Sequence, residues 1–344
     1  MLKIVFVMLV LIGIQLYGVG KELDLIPVLS IVYDDRLKIA QEKVFELDRG
    51  ILEGKTLHML VGKEGEVVYL ITESETEHRL WKIRIGESSI EEKSVIIKPP
   101  GSRISYPAEG WAIDESGDLY VSTPNGLIVY NGDLKVKKVL KTLIKTMAAG
   151  EEGEIYDVEE RSHNERKTIS LVKYDTNRGE KKVIFSYTVD AHIAYAKVKL
   201  AQSNKGKIYM YVEEFETPPN YPFSFPEKVY LLVVDERTVD AKKIYESSNP
   251  DYMHVFEDFA VADDGSIYAC VKNSPSYYYI IRYSNDLEEY NVKEFSVPID
   301  RKNAHINPAF MEPVEIAVKD MDNERLVFVF DSLYSRIIVY KEKR

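Results

Sequence analysis

The stretch from Gly110 to Lys137 reads GWAIDESGDLYVSTPNGLIVYNGDLKVK and contains three short apolar runs in which apolar and polar positions alternate. The dipeptides Ser-Gly and Asn-Gly separate these runs, and turn residues between alternating segments indicate a strand–turn–strand–turn–strand meander. A meander of this length cannot bury its apolar face alone. The fold therefore depends on what else in the chain resembles this stretch.

The same pattern recurs along the whole chain. Matching first turns lie at Gly65, Gly117, Gly153, Gly206 and Gly265, and a sixth copy lies near Asn323. Each copy is followed by a third apolar run, and the first five by a fourth. Six four-stranded units spaced 36 to 59 residues apart predict an all-β fold, a six-bladed β-propeller whose four-stranded blades surround a channel.

The two ends of the chain complement each other. The last copy stops at RIIVYKEKR and lacks its fourth strand, whereas two strand-like segments precede the first copy, LIPVLSIVY at 25–33 and KVFELD at 43–48. We expect one of them to pair with the C-terminal blade and close the ring, because closure removes exposed sheet edges. No linker interrupts the repeat, so residues 21–344 are expected to form a single propeller domain.

The first 20 residues have the layout of a secretory signal peptide. Lys3 precedes an apolar stretch from Ile4 to Val19, and the segment ends in the small-x-small triplet Gly18-Val19-Gly20. This stretch is shorter than the roughly 20 residues that span a bilayer. We therefore predict cleavage before Lys21 and a secreted or periplasmic protein. The alternative is an uncleaved signal, which would be the chain's sole contact with a membrane.

The net charge argues against nucleic acid as a partner, and the cysteine content excludes disulfide bonds within the chain. The formal net charge is −11, and an acidic surface repels nucleic acid, whose binding draws on Lys and Arg contacts to phosphates. Nucleic acid is therefore not an expected partner. The single cysteine, Cys270, lies in the apolar run SIYACV. No disulfide can form within the chain, so we expect a buried thiol and a fold stabilised by its core.

Two segments suggest a family. GWAIDESGDLYVS in the second copy and FDSLYSRIIVYKE at 330–342 in the sixth resemble the NHL repeat. The resemblance implies an NHL-like six-bladed propeller. Such propellers include extracellular sensors, protein-binding scaffolds, and some metal-using lyases and hydrolases. The resemblance thus supports the architecture more than any activity.

The connections of this meander differ between the two ends of the sheets. Turns joining first to second and third to fourth strands are short and acidic, and we call that side the plain face. The remaining connections, such as EFETPPNYPFSFPEK at 214–228 and VPIDRKNAHINPAFMEP at 297–313, are long and irregular, and we call that side the loop-rich face. All six histidines lie in or beside these loops: His58, His78, His163, His192, His254 and His305. Since loops on a rigid scaffold carry most binding groups, this face is the predicted binding surface.

Aligning the six first strands gives one polar column close to the loop-rich face. It consists of His58, Gly110, Thr146, Lys199, Asp258 and Glu315. A carboxylate pair flanked by a lysine and a histidine could bind a polar ligand, perform acid–base chemistry, or form a structural ion-pair ring. The full set of ligand-binding candidates is His58, Lys199, Asp258, Glu315, His192, His254, His305, Tyr221, Phe223 and Tyr277.

Two functions remain open from the sequence. The chain has no G-x-S-x-G, P-loop, H-E-x-x-H or paired C-x-x-C motif, which favours a non-enzymatic propeller that binds a protein, peptide or glycan without a cofactor. The alternative is a metal-assisted lactonase- or lyase-like enzyme, with a divalent cation held by Asp258 and Glu315. The segment AEGWAID, which includes Glu109, resembles the Glu-Gly opening of gluconolactonase-like propellers, although the asparagine expected in the column is missing.

Overall fold

The computed structural model describes part of the chain, and the structural statements refer to that part. The described residues are 39–46, 55–62, 65, 67–73, 77–85, 90–102, 108–151, 153–163, 166–190, 193–203, 207–216, 225–238, 240–247, 255–274, 277–283, 292–295, 313–331 and 336–343. All regular elements among them are β-strands. A membrane-spanning helix, long and apolar enough to cross a bilayer, is not found in these ranges.

The described strands form six four-stranded antiparallel sheets, numbered here in chain order. Sheet 1 contains β2 (Lys55–Val61), β3 (Val67–Glu73), β4 (His78–Ile85) and β5 (Ile90–Ile96), and follows β1 (Ile39–Glu46) in the chain. Sheet 2 contains β6 (Gly110–Ile113), β7 (Leu119–Thr123), β8 (Gly126–Tyr130) and β9 (Val136–Leu140). Sheet 3 contains β10 (Ala148–Ala149), β11 (Glu154–His163), β12 (Arg166–Asp175) and β13 (Glu180–Val189).

The remaining three sheets have the same meander order. Sheet 4 contains β14 (Ile193–Ser203), β15 (Lys207–Glu216), β16 (Phe225–Asp235) and β17 (Asp240–Ser247). Sheet 5 contains β18 (Val255–Val261), β19 (Ile267–Ser274), β20 (Tyr277–Tyr283) and β21 (Val292–Phe295). Sheet 6 contains β22 (Pro313–Asp320), β23 (Glu324–Asp331) and β24 (Arg336–Lys343), with β1 as its fourth strand.

The N-terminal strand completes the sheet formed by the last copy of the repeat. β1 pairs antiparallel with β24, from Ile39 opposite Glu342 to Glu46 opposite Arg336. The predicted pairing of an N-terminal segment with the last sheet is thus present. The strand begins and ends earlier than the predicted 43–48, because its pairing with β24 already starts at Ile39 and ends at Glu46. Segment 25–33 and the proposed signal peptide at 1–20 lie outside the described residues.

Successive sheets pack face to face. Each of six apolar clusters joins two neighbouring sheets, and one of them joins sheet 6 to sheet 1 through Phe328 and Phe330 on one side and Met59 and Leu70 on the other. The first strands β2, β6, β10, β14, β18 and β22 also contact one another in chain order, and β22 contacts β2. Cys270 is a fully buried free thiol within this core, as predicted.

Short turns on the plain face join neighbouring sheets through polar contacts. Lys82 donates to the carbonyl of Gly132 at 2.6 Å, and the hydroxyl of Tyr156 donates to Glu236 at 2.6 Å. Between sheets 5 and 6, the buried guanidinium of Arg325 lies 2.6 Å from Asp320 and 2.8 Å from Asp264. These contacts give the acidic turns of this face a structural role, as the sequence predicts.

Candidate functional site

Four of the predicted site residues lie on the first strands of four sheets. Lys199 lies on β14, Asp258 on β18, Glu315 on β22 and His58 on β2. Because these first strands contact one another in that order, the four side chains are brought to one region. This region lies along the strands and not where they begin, since β14 starts at Ile193 and β18 at Val255. We call these four residues the quartet.

Local strand geometry sets the direction of three quartet side chains. The pairing of β2 with β3 shifts register between Thr56 and His58, that of β18 with β19 between Phe256 and Asp258, and that of β22 with β23 between Pro313 and Glu315. In each case a bulge directly precedes the quartet residue. Bulges re-aim side chains and are over-represented beside active sites. The sequence does not predict this repeated irregularity, because no residue type marks a bulge.

Three quartet residues contact the next sheet along the chain. The ammonium of Lys199 donates to the carbonyl of Phe256 at 2.6 Å, and the amide of Ile316 donates to Oδ2 of Asp258 at 2.9 Å. The imidazole of His58 stacks on the indole of Trp111, with ring planes 14° apart. These contacts hold the three side chains in defined orientations, as a preorganised site requires.

The two carboxyl groups and the histidine form one hydrogen-bonded unit. Glu315 is hydrogen-bonded to Asp258, and its Oε1 lies 2.8 Å from Nδ1 of His58. The amide of Met59, on the sheet that carries His58, also donates to Glu315. The side chains of His58 and Glu315 keep 20% and 12% of their exposure, so the unit is largely buried but still reaches solvent.

Burial controls the protonation of the carboxyl pair. Desolvation, with the neighbouring Glu315 charge as the next cause, raises the pKa of Asp258 to about 8. Desolvation also raises the pKa of Glu315 to about 8. The residues opposite them on the second strands are Cys270 and Phe330, which are buried and apolar. Near neutral pH the pair therefore holds a proton that an exposed pair would release.

The pKa values of the two basic members of the quartet are shifted in the opposite direction, downwards. Burial lowers the pKa of His58 well below its ordinary value, so the imidazole is neutral near pH 7. Burial, followed by the nearby charge of Lys197, lowers the pKa of Lys199. The quartet thus combines carboxyl groups that retain protons with a neutral imidazole and an amine that loses its proton more readily than an exposed lysine. These are the properties of groups that exchange protons or hydrogen bonds with a ligand.

Two further acids lie beside the quartet. Glu257 occupies the bulge before Asp258 and acts electrostatically on Lys199. Glu213 on β15 is fully buried, lies 3.8 Å from the ammonium of Lys197, and has a pKa raised by desolvation. Sequence reasoning missed Glu213, because it lies on a second strand outside the aligned column. Glu109, in the segment AEGWAID, precedes β6 and donates its backbone amide to the carbonyl of Ser122 at 2.8 Å.

The other predicted binding residues are not placed by the described structure. His192, His254, His305, Tyr221 and Phe223 lie outside the described residues. Tyr277 is the first residue of β20. The described structure therefore brings together the quartet and leaves the loop candidates as predictions. Within the described ranges, no group of three or more His, Cys, Asp or Glu side chains is arranged to hold a metal ion.

Comparison with known proteins supports the fold and no particular activity. No family model matches the chain, and no curated protein matches it significantly. The NHL-like motif therefore remains a prediction, and the resemblance that is supported is one of fold.

Several solved structures are similar to this chain, two of them with a TM-score above 0.5. A protein of unknown function from Dyadobacter fermentans superposes with a TM-score of 0.56 and 9% identity, covering 89% of this chain and 99% of that one. An ancestral GH74 enzyme gives a TM-score of 0.51 and 10% identity over 84% of this chain. An extracellular domain from B. thetaiotaomicron gives a TM-score of 0.49 and 12% identity over 87%. The last two are β-propeller-like proteins, and the chain spans 42% and 40% of their length.

Proposed function

We propose that this chain is an exported six-bladed β-propeller that binds a protein, peptide or glycan at its loop-rich face. In this proposal the quartet of His58, Lys199, Asp258 and Glu315 is the polar centre of the binding site. The single observation that carries the proposal is the buried, proton-retaining carboxyl pair of Asp258 and Glu315 on the first strands of sheets 5 and 6. Export rests on the predicted signal peptide, and a mature N-terminus at Lys21 is the result expected from N-terminal sequencing of secreted protein.

The blade count and ring closure rest on contacts between sheets. Six sheets of four strands, an apolar cluster at each of six junctions, and contact between β22 and β2 support a ring of six blades. The pairing of β1 with β24 supports a ring in which one blade is built from both chain ends. Such closure would hold the quartet on a rigid scaffold.

A purely structural role explains the quartet less well than binding does. The equivalent positions of sheets 2 and 3 are Gly110 and Thr146, so the repeat does not require charged groups to join neighbouring first strands. A buried carboxyl pair opposes folding when it ionises, because its charges are desolvated and close together. Groups that oppose stability in this way are concentrated at functional sites. We therefore assign the pair to ligand recognition.

The test compares wild type with an isosteric double variant on a glycan array and a peptide array. Asp258→Asn with Glu315→Gln keeps the shape and one acceptor oxygen in each side chain but removes both ionisable groups. The matched control is Asp133→Asn with Glu115→Gln, two exposed acids of plain-face turns. We expect wild type and control to share array hits that the quartet variant loses. The same hits on all three proteins, or none on wild type, would refute the proposal.

A second function, an enzyme at the same position, is favoured by one observation. A carboxyl pair whose pKa values lie near 8 can both donate and accept a proton close to neutral pH. The metal-assisted version of this hypothesis predicts that calcium or zinc raises the melting temperature, and that Asp258→Ala with Glu315→Ala abolishes the effect. Unchanged melting with metal and with chelator would eliminate that version.

A further inference from the structure

Among the described residues, Lys199 is the one member of the quartet with no carboxyl group in hydrogen-bond contact. Its Nζ donates to the carbonyl of Phe256 at 2.6 Å. No ion pair joins this amine to a carboxylate in the described part of the chain. An ammonium withdrawn from water is stable only when a carboxylate balances its charge. The position therefore favours a neutral amine.

The buried acid on the neighbouring strand is paired with a different lysine. Glu213 lies opposite Lys197 in the β14–β15 ladder, and 3.8 Å separate its Oε1 from Nζ of Lys197. Lys197 and Lys199 are two residues apart on β14, so their side chains point to the same face of the sheet. Lys199 therefore has a second cation beside it, while Lys197 balances the charge of Glu213.

Aromatic rings occupy the strand positions next to Lys199. Tyr211 lies opposite Lys199 in the ladder and is fully buried. It stacks on Phe256 with ring planes 12° apart, and its hydroxyl accepts the Phe256 amide at 3.1 Å. Opposite residues of paired strands share one face of the sheet. These rings therefore place hydrocarbon instead of water beside the Lys199 side chain.

Burial and neighbouring charges together set the pKa of Lys199. Desolvation is the largest cause and lowers it, and Lys197 lowers it further. The acids that act in the opposite direction, with less effect, are Asp258, Glu213 and Glu257. Glu315 and His58 are also within electrostatic reach of the amine. The balance is downward, so more of this amine is neutral near pH 7 than of an exposed lysine.

A neutral amine at this position has a lone pair that a small molecule can reach. Such an amine carries two hydrogens and one lone pair, and the Phe256 carbonyl accepts one of the hydrogens. The lone pair is then directed away from that carbonyl. Lys199 is partly exposed to solvent. Desolvated lysines beside another cation are the lysines that form Schiff bases with carbonyl compounds.

We infer that Lys199 is a nucleophile that captures an aldehyde or ketone as an imine. Its Nζ attacks the carbonyl carbon while the π electrons of the C=O bond move to the oxygen, and a carbinolamine forms. The carbon–oxygen bond then breaks, and the two amine hydrogens leave with the oxygen as water, so no oxidant or reductant is consumed. This reaction goes beyond the proposed function and does not depend on it, because it requires only a carbonyl group that reaches the amine.

The test measures imine formation at each lysine of the wild-type protein. Propanal is added at pH 7 with sodium cyanoborohydride, which reduces imines and leaves aldehydes intact, and tandem mass spectrometry gives the rate of propylation at each lysine. We expect Lys199 to react at least tenfold faster than its neighbour Lys197 and than Lys141, both of which are exposed. The rate at Lys199 should also level off at a lower pH than the rates at these two controls. A rate at Lys199 equal to or below those of the controls would overturn the inference.

A pair of variants tests the cause of the reactivity. Lys197→Gln removes the neighbouring cation and leaves Glu213 without its partner, and both changes act to raise the pKa of Lys199. We expect propylation of Lys199 to slow at least threefold in this variant, whereas the control Lys141→Gln should leave its rate unchanged. Equal rates in the two variants would contradict the electrostatic activation on which the inference rests.

Reversible capture without a reductant separates this inference from the proposed function. Salicylaldehyde forms a coloured imine, and we expect wild type and Lys141→Met to form it saturably with one equivalent of aldehyde, whereas Lys199→Met should not. An imine on wild type in the absence of array hits would support the inference and refute the proposed function alone. Array hits that require the quartet, without a saturable imine on wild type, would refute the inference alone.

Discussion

Relative to wild type, the Asp258→Asn variant should become more stable as the pH rises. The substitution keeps an oxygen that can accept the hydrogen bond from the Ile316 amide, which is 2.9 Å long in the wild type. It removes the carboxyl group whose ionisation is opposed by burial and by Glu315. The variant therefore separates the electrostatic cost of ionising Asp258 from the contribution of this side chain to packing.

The sign of the effect follows from the direction of the pKa shift. Burial raises the pKa of Asp258 from 3.8 in a model peptide to about 8 in the folded protein. The folded state therefore keeps a proton that the unfolded state releases, and stability falls as the pH rises from about 4 to about 8. One pKa unit corresponds to about 1.36 kcal/mol, so the whole shift corresponds to about 6 kcal/mol. Structural relaxation and water entry reduce such penalties to a few kcal/mol.

The effect is measured by urea unfolding at half-unit intervals from pH 4 to 9. The three proteins are wild type, Asp258→Asn and the exposed control Asp133→Asn. We expect the three stabilities to lie close together near pH 4. Near pH 8, Asp258→Asn should be more stable than wild type by about 2–5 kcal/mol, whereas the control should follow wild type. Parallel curves for wild type and Asp258→Asn would show that Asp258 titrates normally, and the electrostatic account of the quartet would be wrong.

Three further predictions concern the scaffold. Arg325→Met leaves the carboxylates around the buried guanidinium without their cation and should lower the free energy of unfolding in urea by about 3–5 kcal/mol. The control Arg237→Met, at an exposed ion pair, should change it by less than about 1 kcal/mol. Gly126 has a φ of +126, and Gly126→Ala places a Cβ 2.3 Å from a carbonyl oxygen of β9. We expect it to lower the free energy of unfolding by about 3 kcal/mol or more. Gly117 has a φ of +85 and a Cβ there meets nothing within 4 Å, so Gly117→Ala should lower it by about 1–2 kcal/mol. Equal losses within either pair would contradict the packing described. Cys270 should react with a thiol reagent only as fast as the protein unfolds; immediate reaction of the native protein would contradict its burial.

The repeat made much of the fold predictable. Glycine turns at fixed offsets from alternating strands align the six copies, and that alignment also gives the column containing the quartet. The missing fourth strand after RIIVYKEKR predicts pairing with an N-terminal segment, because an unpaired edge would otherwise remain. The position of β1 at Ile39–Glu46 was less predictable, since its apolar positions are compatible with more than one register.

The details of the quartet and of the strands around it depend on contacts that a linear pattern does not contain. The bulges before His58, Asp258 and Glu315 arise from pairing register, and no residue type marks them. Beside the two-residue strand β10, the side chains of Ser122 and Asp157 accept the amides of Ile144 and Thr146. Strand propensity assigns residues to strands. It does not show which backbone amides form hydrogen bonds to a side chain instead of to a neighbouring strand.

The most direct test of the central proposal is isothermal titration of the strongest array hit into wild type, the Asp258→Asn, Glu315→Gln variant and the Asp133→Asn, Glu115→Gln control. We predict that the quartet variant binds at least 100-fold more weakly than wild type while its melting temperature at pH 8 is equal or higher. The control should bind as wild type does. Equal dissociation constants for the three proteins would contradict the assignment of the quartet to ligand recognition.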